Sequence, residues 1–382
     1  MNESVVKELF GRLPWGFLGM IAMVFAIERF AIRDIPLYPE PGGRSWNHSS
    51  TGIARKTAGR DVVYFGDSLV KNEVLPKIVE EQSGKSGYNL ALHSGSAPSS
   101  YYLLRRMVDS GVRPSSVLVD FEKSMLEIGP ASPTRPFPWS ELLTPSEAFQ
   151  LAWQAGDPAL FADILVKRTL RSARIRLEIR NSIMFALGGE VDREREITYA
   201  NWRNFNRNEG AFVLDKNPAY QDTPILSGFA ETPAKWNCDP VNAVYVRKFL
   251  RLAAQIEARV YLLLPPISPG SQSIHDHWGL EPPYVEFVRG LQDHYPNVVV
   301  LDARRMGFKS DVFYDWCHLD RDGVVVLSER IGAAIRETWD QKTASRWIAL
   351  RPFGPRTGNA PYEVITDTFA KLRADRAVTF TR

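Results

Sequence analysis

The stretch Asp61-Val62-Val63-Tyr64-Phe65-Gly66-Asp67-Ser68 decides the fold of this 382-residue chain. Its first five residues form a short β-branched and aromatic run that stops at Gly66, and such a run predicts a buried strand. Residues 69–82 have a helical pattern. Because glycine permits a tight turn, the strand can lead directly into that helix. We therefore expect Ser68 at the carboxyl end of a strand, either as a reactive group or as an ordinary helix N-cap.

The same alternation of strand and helix recurs along the chain. Further strands are predicted at 87–92, 116–121, 259–264 and 297–301. Further helices are predicted at 99–110, 244–258, 283–294 and 323–339. This order favours a parallel sheet with helices on both faces. We predict a flavodoxin-like three-layer α/β/α domain with a helical insertion and an N-terminal membrane helix.

The chain divides into six predicted segments. They are an N-terminal anchor (1–33), a Pro- and Gly-rich extended linker (34–60), the first part of the core (61–130), a mostly helical insertion (131–240), the second part of the core (241–340) and a C-terminal tail with one helical segment (341–382). The insertion is expected to form a lid over the carboxyl edge of the sheet.

The N-terminal segment has fifteen uncharged residues from Leu13 to Ile27, followed by Glu28 and Arg29. This length is at the short limit for a membrane span. We expect an uncleaved signal anchor that places the body on the extracytoplasmic side. A cleaved signal peptide and a buried or interfacial helix are the alternatives.

Composition excludes several classes of function. A formal net charge of +3 gives no case for a nucleic-acid partner. Two cysteines without a C-x-x-C pair make neither a disulfide framework nor a structural zinc site. His275-Asp276-His277 has a spacing that suits a metal, but no other ligand cluster accompanies it. We expect a polar loop there and no metal.

A second chemical motif, Asp315-Trp316-Cys317-His318, follows the strand predicted at 297–301. A nucleophilic serine needs a base to accept its proton, and the base needs a carboxylate to orient it. Asp315 and His318, three residues apart, can meet on one turn of chain. A surface aspartate beside a partly buried histidine is the alternative for this motif alone.

Together these motifs make the chain resemble the SGNH, or GDSL, hydrolase family. That family has a Gly-Asp-Ser block after the first strand and an Asp-x-x-His block near the end, here Gly66-Asp67-Ser68 and Asp315–His318. Its glycine block after the second strand is similar to Asn89–Gly95. The resemblance covers residues 61–130 and 241–335, about half of the chain.

The resemblance implies a serine nucleophile and an acyl-enzyme, without a metal or an organic cofactor. Ser68 would be the nucleophile, with His318 and Asp315 as base and orienting carboxylate. The amides of Ser68 and Gly95 would form the oxyanion hole. Three neighbouring residues would contact substrate: Asp67, His93 and Ser96.

One block departs from the family pattern. The third strand ends in Val119-Asp120-Phe121-Glu122, where the family has an asparagine that donates to the oxyanion. A carboxylate there would repel the developing charge, and loss of one donor costs about a hundredfold in rate. Three alternatives follow: a replacement donor comes from the insertion, which carries Asn201, Asn204, Asn206 and Asn208, or catalysis is slower, or the substrate differs.

The expected function is a membrane-anchored serine esterase or acyl hydrolase that acts on an acylated glycan or lipid. The alternative is an O-acyltransferase that modifies a cell-envelope polysaccharide, since the layout is similar to membrane-anchored relatives such as alginate O-acetyltransferases. A catalytically poor, glycan-binding scaffold is the third possibility. The arginine-rich stretch at 167–180 is expected to be either a solvated helix or a docking face for anionic headgroups or an acidic polysaccharide.

Overall fold

A computed structural model of the chain describes residues 15–32, 41–189, 193–222, 236–340, 346–354 and 362–371. Its centre is a six-stranded, all-parallel sheet in the order β2-β1-β3-β4-β5-β6. The strands are β1 (Val62–Phe65), β2 (Gly87–Asn89), β3 (Ser116–Asp120), β4 (Arg259–Leu264), β5 (Val298–Asp302) and β6 (Arg346–Ala349). The first five follow the order 2-1-3-4-5, which occurs in flavodoxin-like doubly wound sheets.

Every residue of β1 is buried, which explains its continuous apolar run. Val63 and Phe65 face one hydrophobic cluster, and Val62 and Tyr64 face the other. The first cluster packs under α6 (Ala97–Asp109), α14 (Pro240–Gln255) and α16 (Glu281–His294), and the second under α5 (Pro76–Ser83) and α17 (Arg321–Thr338). The prediction of a parallel sheet with helices on both faces is confirmed.

The segment expected to be an extended linker contains two helices, α2 (Pro41–Ser50) and α3 (Ile53–Thr57). The indole of Trp46 is fully buried and donates a hydrogen bond to the carbonyl oxygen of His93 across 2.8 Å. The glycine and proline content of this stretch suggested a spacer, but burial of one large aromatic side chain outweighs weak local helix propensity. Residues 41–60 of the predicted linker are therefore part of the folded body.

The C-terminal segment contributes the last strand of the sheet. β6 pairs in parallel with β5, and the indole of Trp347 donates a hydrogen bond to Asp302 across 3.1 Å. The helix expected in this tail is present at 365–371. The sequence analysis did not predict β6, because a four-residue strand at a sheet edge leaves little periodic signal.

Within its described residues, the inserted region contains six helices. They are α8 (Trp139–Leu142), α9 (Pro145–Ala155), α10 (Pro158–Thr169), α11 (Arg171–Arg174), α12 (Arg176–Leu187) and α13 (Arg193–Arg207). The chain after α13 is fixed to the edge of the sheet. The Asn89 amide donates to the Glu209 carbonyl across 2.8 Å, and the Phe212 amide donates to the Lys71 carbonyl across 3.0 Å. This segment forms a fixed wall beside the sheet.

The arginine-rich stretch is divided between structural and exposed side chains. Arg168 donates to main-chain carbonyls around α8, and Arg174 pairs with Glu141 at 3.4 Å. Arg176 and Arg180 are exposed on α12. Arg176 and Arg180 therefore fit the solvated-helix alternative, whereas Arg168 and Arg174 have partners within the protein.

The N-terminal segment forms helix α1 (Trp15–Ala26), which continues as a π-helix from Ile27 to Ile32. It lies against α10, where Met20 and Val24 border the same groove as Val166. The Glu28 carboxylate accepts a hydrogen bond from the Ser172 amide. In the described part of the chain, no helix has the length and apolar character needed to cross a membrane.

Candidate active site

The turn that carries Ser68 begins where β1 ends. Gly66 has a φ of +127°, and a Cβ placed there would lie 1.6 Å from Asp120 Oδ1, so the turn requires glycine. Asp67 is the N-cap of α4 (Ser68–Glu73), and its carboxylate accepts from the Leu69 amide across 2.7 Å. Ser68 is consequently the first residue of a helix and not its cap. The N-cap role that was an alternative for Ser68 is taken by its neighbour Asp67.

His318 joins the two motifs of the sequence. Its Nε2 atom lies 2.8 Å from Ser68 Oγ, and its Nδ1 atom lies 2.8 Å from Asp315 Oδ2. Both distances are within hydrogen-bond range. Serine, imidazole and carboxylate therefore form a continuous chain at the carboxyl edge of a parallel sheet, where α/β proteins place their reactive groups.

The loop that holds Asp315 orients its carboxylate. Oδ1 accepts hydrogen bonds from the main-chain amides of Cys317 (2.9 Å) and His318 (2.8 Å). Burial acts to raise the pKa of Asp315, but the hydrogen bond and charge of His318, together with these two amides, outweigh burial and hold that pKa below its usual value. An ionised Asp315 selects the His318 tautomer that carries its proton on Nδ1, which leaves Nε2 free to accept the serine proton.

Two acidic groups lie behind the nucleophile, where β1 and β3 end side by side. Asp120 Oδ1 accepts a hydrogen bond from the Asp67 amide across 2.9 Å. Burial raises the pKa of Asp120 to about 7, and burial together with the neighbouring Asp120 raises that of Asp67. Two such carboxyls, fully enclosed and hydrogen-bonded to each other, share a proton near neutral pH.

The acidic residue Glu122, which follows β3, has a structural role. Its carboxylate caps α7 (Lys123–Glu127) by accepting from the Ser124 amide across 2.7 Å and from the Met125 amide across 3.1 Å. The repulsion of an oxyanion that the sequence suggested is therefore moderated, because one carboxylate is capped and its neighbour shares a proton.

Gly95 packs against the nucleophile turn. A Cβ on Gly95 would lie 2.2 Å from the Gly66 carbonyl oxygen, so only glycine fits this approach. Its amide donates to the Leu92 carbonyl across 3.0 Å within a turn in which Ser94 has a φ of +54°. The oxyanion role expected for the Gly95 amide stays a prediction. For that role the amide would have to share its hydrogen with the oxyanion or give up its bond to the Leu92 carbonyl oxygen.

The other residues expected to contact substrate have different surroundings. His93 borders the cavity beside the triad, and its Nε2 atom lies 3.0 Å from Asn72 Oδ1. Ser96 is buried as the N-cap of α6, and its amide donates to Ser99 Oγ across 2.8 Å. Asp67 is buried beneath the turn. Of these three side chains, His93 alone lines the cavity.

The cavity has a volume of about 240 Å³ and opens beside His318. Its lining combines four aromatic or aliphatic residues with six polar or charged ones: Phe205, Phe212, Leu214 and Tyr314, and Arg44, Asn72, His93, Asn201, Asp315 and His318. A pocket that combines apolar surface with convergent polar groups is the usual form of a small-molecule site. The inserted region and α2 together supply half of these residues.

The four asparagines of the insertion lie in different surroundings. Asn201 lines the cavity, whereas Asn204 and Asn208 both donate to the Glu363 carbonyl oxygen, across 2.6 Å and 2.7 Å. Asn206 is exposed and donates to the carbonyl of its own helix. Asn201 is the one member of the set placed to meet a substrate.

Sequence reasoning missed two polar residues of the cavity, Arg44 and Asn72. Asn72 was detectable, because it lies four residues after Ser68 on the predicted helix and therefore shares a face with the nucleophile. Arg44 gave no signal, since it stood in the presumed linker.

Within the described ranges, one group of side chains has the mutual spacing of a metal site: Asp315, Cys317 and His318. Burial raises the pKa of the Cys317 thiol, which disfavours the thiolate that a metal requires. Both nitrogens of His318 are also engaged in the triad. These residues suit proton transfer better than metal binding.

The His275-Asp276-His277 motif lies at the end of helix α15 (Pro269–His277), where a polar loop was expected. His275 Nδ1 contacts the buried Lys123 ammonium group, and Asp276 pairs with Arg305 at 2.6 Å. These contacts direct the side chains to separate partners.

The chain matches no known family model, and no curated protein is significantly similar to it in sequence.

Proposed function

We propose that this protein is a serine esterase or acyl hydrolase of the SGNH/GDSL type, with a flavodoxin-like core, that works through an acyl-enzyme. The observation that carries the proposal is the continuous hydrogen-bonded chain from Asp315 through His318 to Ser68 Oγ, with two contacts of 2.8 Å. The adjoining cavity supports it, because a nucleophile needs a bound substrate within reach.

The mechanism follows from the positions of the protons. His318 Nε2 takes the hydroxyl proton as Ser68 Oγ bonds to the ester carbonyl carbon, and the carbonyl electron pair moves to its oxygen. The oxyanion is held by the main-chain amide of Ser68 at the start of α4, with Gly95 as the further expected donor. When the intermediate collapses, the alcohol leaves with the proton from His318. Water then attacks the acyl-enzyme by the reverse sequence.

The same acyl-enzyme permits transfer to a sugar hydroxyl in place of water. An acylated glycan or lipid is the proposed substrate class, because the cavity combines aromatic and aliphatic side chains with polar side chains that suit an ester of a polyol. Trp153 and Trp202 are exposed on the inserted helices and offer faces on which sugar rings stack. An intact Asp-His-Ser chain argues against a scaffold without activity.

The first test uses a fluorophosphonate probe, which labels activated serines. The wild-type chain is expected to be labelled and Ser68→Ala is not, with equal thermal melting of both. Absence of labelling in a folded wild type would remove the nucleophile assignment. Acetyl ester donors offered with and without glycan acceptors then distinguish hydrolysis from transfer, because acceptors raise product formation only in a transferase.

Attachment to a membrane through the N-terminal segment, with the body on the extracytoplasmic side, belongs to the same proposal. Side chains of α1 remain about half exposed at Met20, Met23 and Phe25. On α12, exposed apolar side chains follow Arg176 and Arg180 within the next two turns after Arg180: Ile183, Met184 and Leu187. Apolar groups beside guanidinium groups suit acyl chains beside anionic headgroups.

Fractionation tests this attachment. The full chain is expected in the membrane fraction after washing at high pH, and Met20→Glu with Met23→Glu is expected to shift it to the supernatant. Trp153→Glu is the control, because it places a charge on a hydrophobic side chain that is at least as exposed and lies away from α1. Equal release of all three proteins would exclude attachment through α1.

A further inference from the structure

Asn72 occupies the position at which the site lacks a side-chain donor. It lies on α4, one helical turn after Ser68, and is 3% exposed. Side chains of a helix tilt towards its N-terminus, so a residue at i+4 covers the turn that carries residue i. The Asn72 amide is therefore directed back towards the end of the helix at which the Ser68 hydroxyl reacts.

His93 fixes the orientation of this amide. Asn72 Oδ1 lies 3.0 Å from His93 Nε2, so the oxygen is occupied and the NH2 group is turned to the opposite side. His93 is itself held by α2, because its amide donates to Ser45 Oγ across 3.0 Å and its carbonyl accepts from the Trp46 indole. Asn72 lines the cavity together with His318.

The Asn72 amide nitrogen makes no hydrogen bond with the part of the chain that the structure describes. The NH2 group is not sealed inside the protein but borders the cavity, where a ligand can complete its hydrogen bonds. The two carboxyls at the end of β3 are not available as such donors, since Asp120 is engaged with Asp67 and Glu122 caps α7.

We infer that Asn72 Nδ2 is the side-chain donor to the oxyanion, with His93 as the residue that positions it. The inference rests on the proposed acyl-enzyme function and adds a catalytic group from the nucleophile's own helix. Because the donor acts on charge that develops in the transition state, its loss lowers kcat more than it changes KM.

The test compares the full-length wild type with Asn72→Ala in detergent micelles, with p-nitrophenyl acetate as substrate. Asn72→Ala is expected to lower kcat about a hundredfold at nearly constant KM. The midpoints of its pH profile stay in place, because the triad is intact. Asn201→Ala, which removes the rival cavity asparagine, should lower kcat far less than Asn72→Ala. Asn206→Ala, at an exposed asparagine outside the cavity lining, should remain within about threefold of wild type. His93→Ala is expected to give a smaller loss than Asn72→Ala, because the amide is kept but no longer oriented.

Thermal melting establishes that each variant is folded. If Asn72→Ala melts early, Asn72→Asp replaces it, because the carboxylate has the same shape, lacks the donor and should lose at least as much rate. If a folded Asn72 variant is as active as wild type, or if Asn201→Ala causes the large loss of activity instead, the inference is overturned and the proposed function stands. A folded wild type that neither hydrolyses the ester nor reacts with a fluorophosphonate overturns the proposed function, and the role of Asn72 with it.

Discussion

The main-chain amide of Asp67 donates a hydrogen bond to Asp120 Oδ1 across 2.9 Å, and this contact joins the turn before the nucleophile to the end of the neighbouring strand. The same carboxylate fills the space beside Gly66. The position of Ser68 is therefore set by β3 as well as by its own strand. A site built in this way is sensitive to any change in the volume or charge of either partner.

Gly66→Ala should destabilise the protein severely. Its φ of +127° is strained for any L side chain, and the added methyl would lie 1.6 Å from Asp120 Oδ1. We expect a loss of more than about 3 kcal/mol in the free energy of unfolding, measured by urea denaturation. Gly290→Ala is the control, because that glycine lies inside α16 with open space around it. An increase in stability of up to about 1 kcal/mol is expected there. Equal effects at both glycines would contradict the steric explanation.

The shared proton of Asp67 and Asp120 predicts a pH-dependent stability. Burial raises both pKa values, that of Asp120 to about 7, so the folded state binds more protons than the unfolded state between about pH 4 and pH 7. Stability therefore falls as the pH rises through this range, on the order of 1 kcal/mol per pH unit.

Asp120→Asn should reduce the loss of stability with rising pH. Its amide oxygen can still accept from the Asp67 main chain, and its NH2 group can donate to an ionised Asp67 carboxylate. Urea unfolding at pH 5 and pH 8 provides the measurement. Asp163→Asn, at an exposed ion pair on α10, is expected to keep the wild-type pH dependence. A wild type more stable at pH 8 than at pH 5, with no change in Asp120→Asn, would refute the shared proton.

Asp315→Asn should lower kcat by about four orders of magnitude, because an amide no longer holds His318 in the tautomer that accepts the serine proton. Binding of the ester should change little, since the cavity walls are unaffected. Steady-state hydrolysis of p-nitrophenyl acetate reports both quantities. Asp311→Asn, on the exposed 3₁₀ turn just before the motif, should retain wild-type rates. A mild effect at Asp315 would mean that another group orients the imidazole.

Phe212→Ala should shift the preferred acyl chain towards greater length. The ring borders a cavity of about 240 Å³, and its removal opens room for additional methylenes. Each buried methylene contributes about 0.8 kcal/mol, so the ratio of kcat/KM for butyrate over acetate esters should rise about fourfold per methylene accommodated. Phe149→Ala, an exposed ring on α9, should leave the ratio unchanged. An unchanged ratio in folded Phe212→Ala would place the acyl chain elsewhere.

The parts of this structure that the sequence predicted are those encoded locally. The buried run before Gly66 required a strand, the glycine required a turn, and Asp315 and His318 lie within four residues of each other. Parallel strands bring such turns to one edge, which is why residues 250 positions apart meet at 2.8 Å. These features could be predicted without knowing which distant segments pack together.

The remaining parts depend on contacts between distant segments. α2 forms in a glycine-containing stretch because Trp46 is buried beside the chain at His93. β6 is recognisable only through its pairing with β5. The cavity wall was expected as a lid, yet the amides of Asn89 and Phe212 show that residues 209–212 are bonded to the core. Pairings of this kind leave no periodic trace in a single sequence.

Because residues 209–212 are attached to the edge of the sheet, the reactive groups and the cavity wall belong to different segments of the chain. The reactive groups are borne by short turns of the core, while the cavity's aromatic wall is borne by an inserted segment with its own anchoring bonds. Such an arrangement lets the wall be exchanged while the turns stay constant. Related chains that diverge in this segment would retain the chemistry and differ in the acyl group or alcohol that they accept.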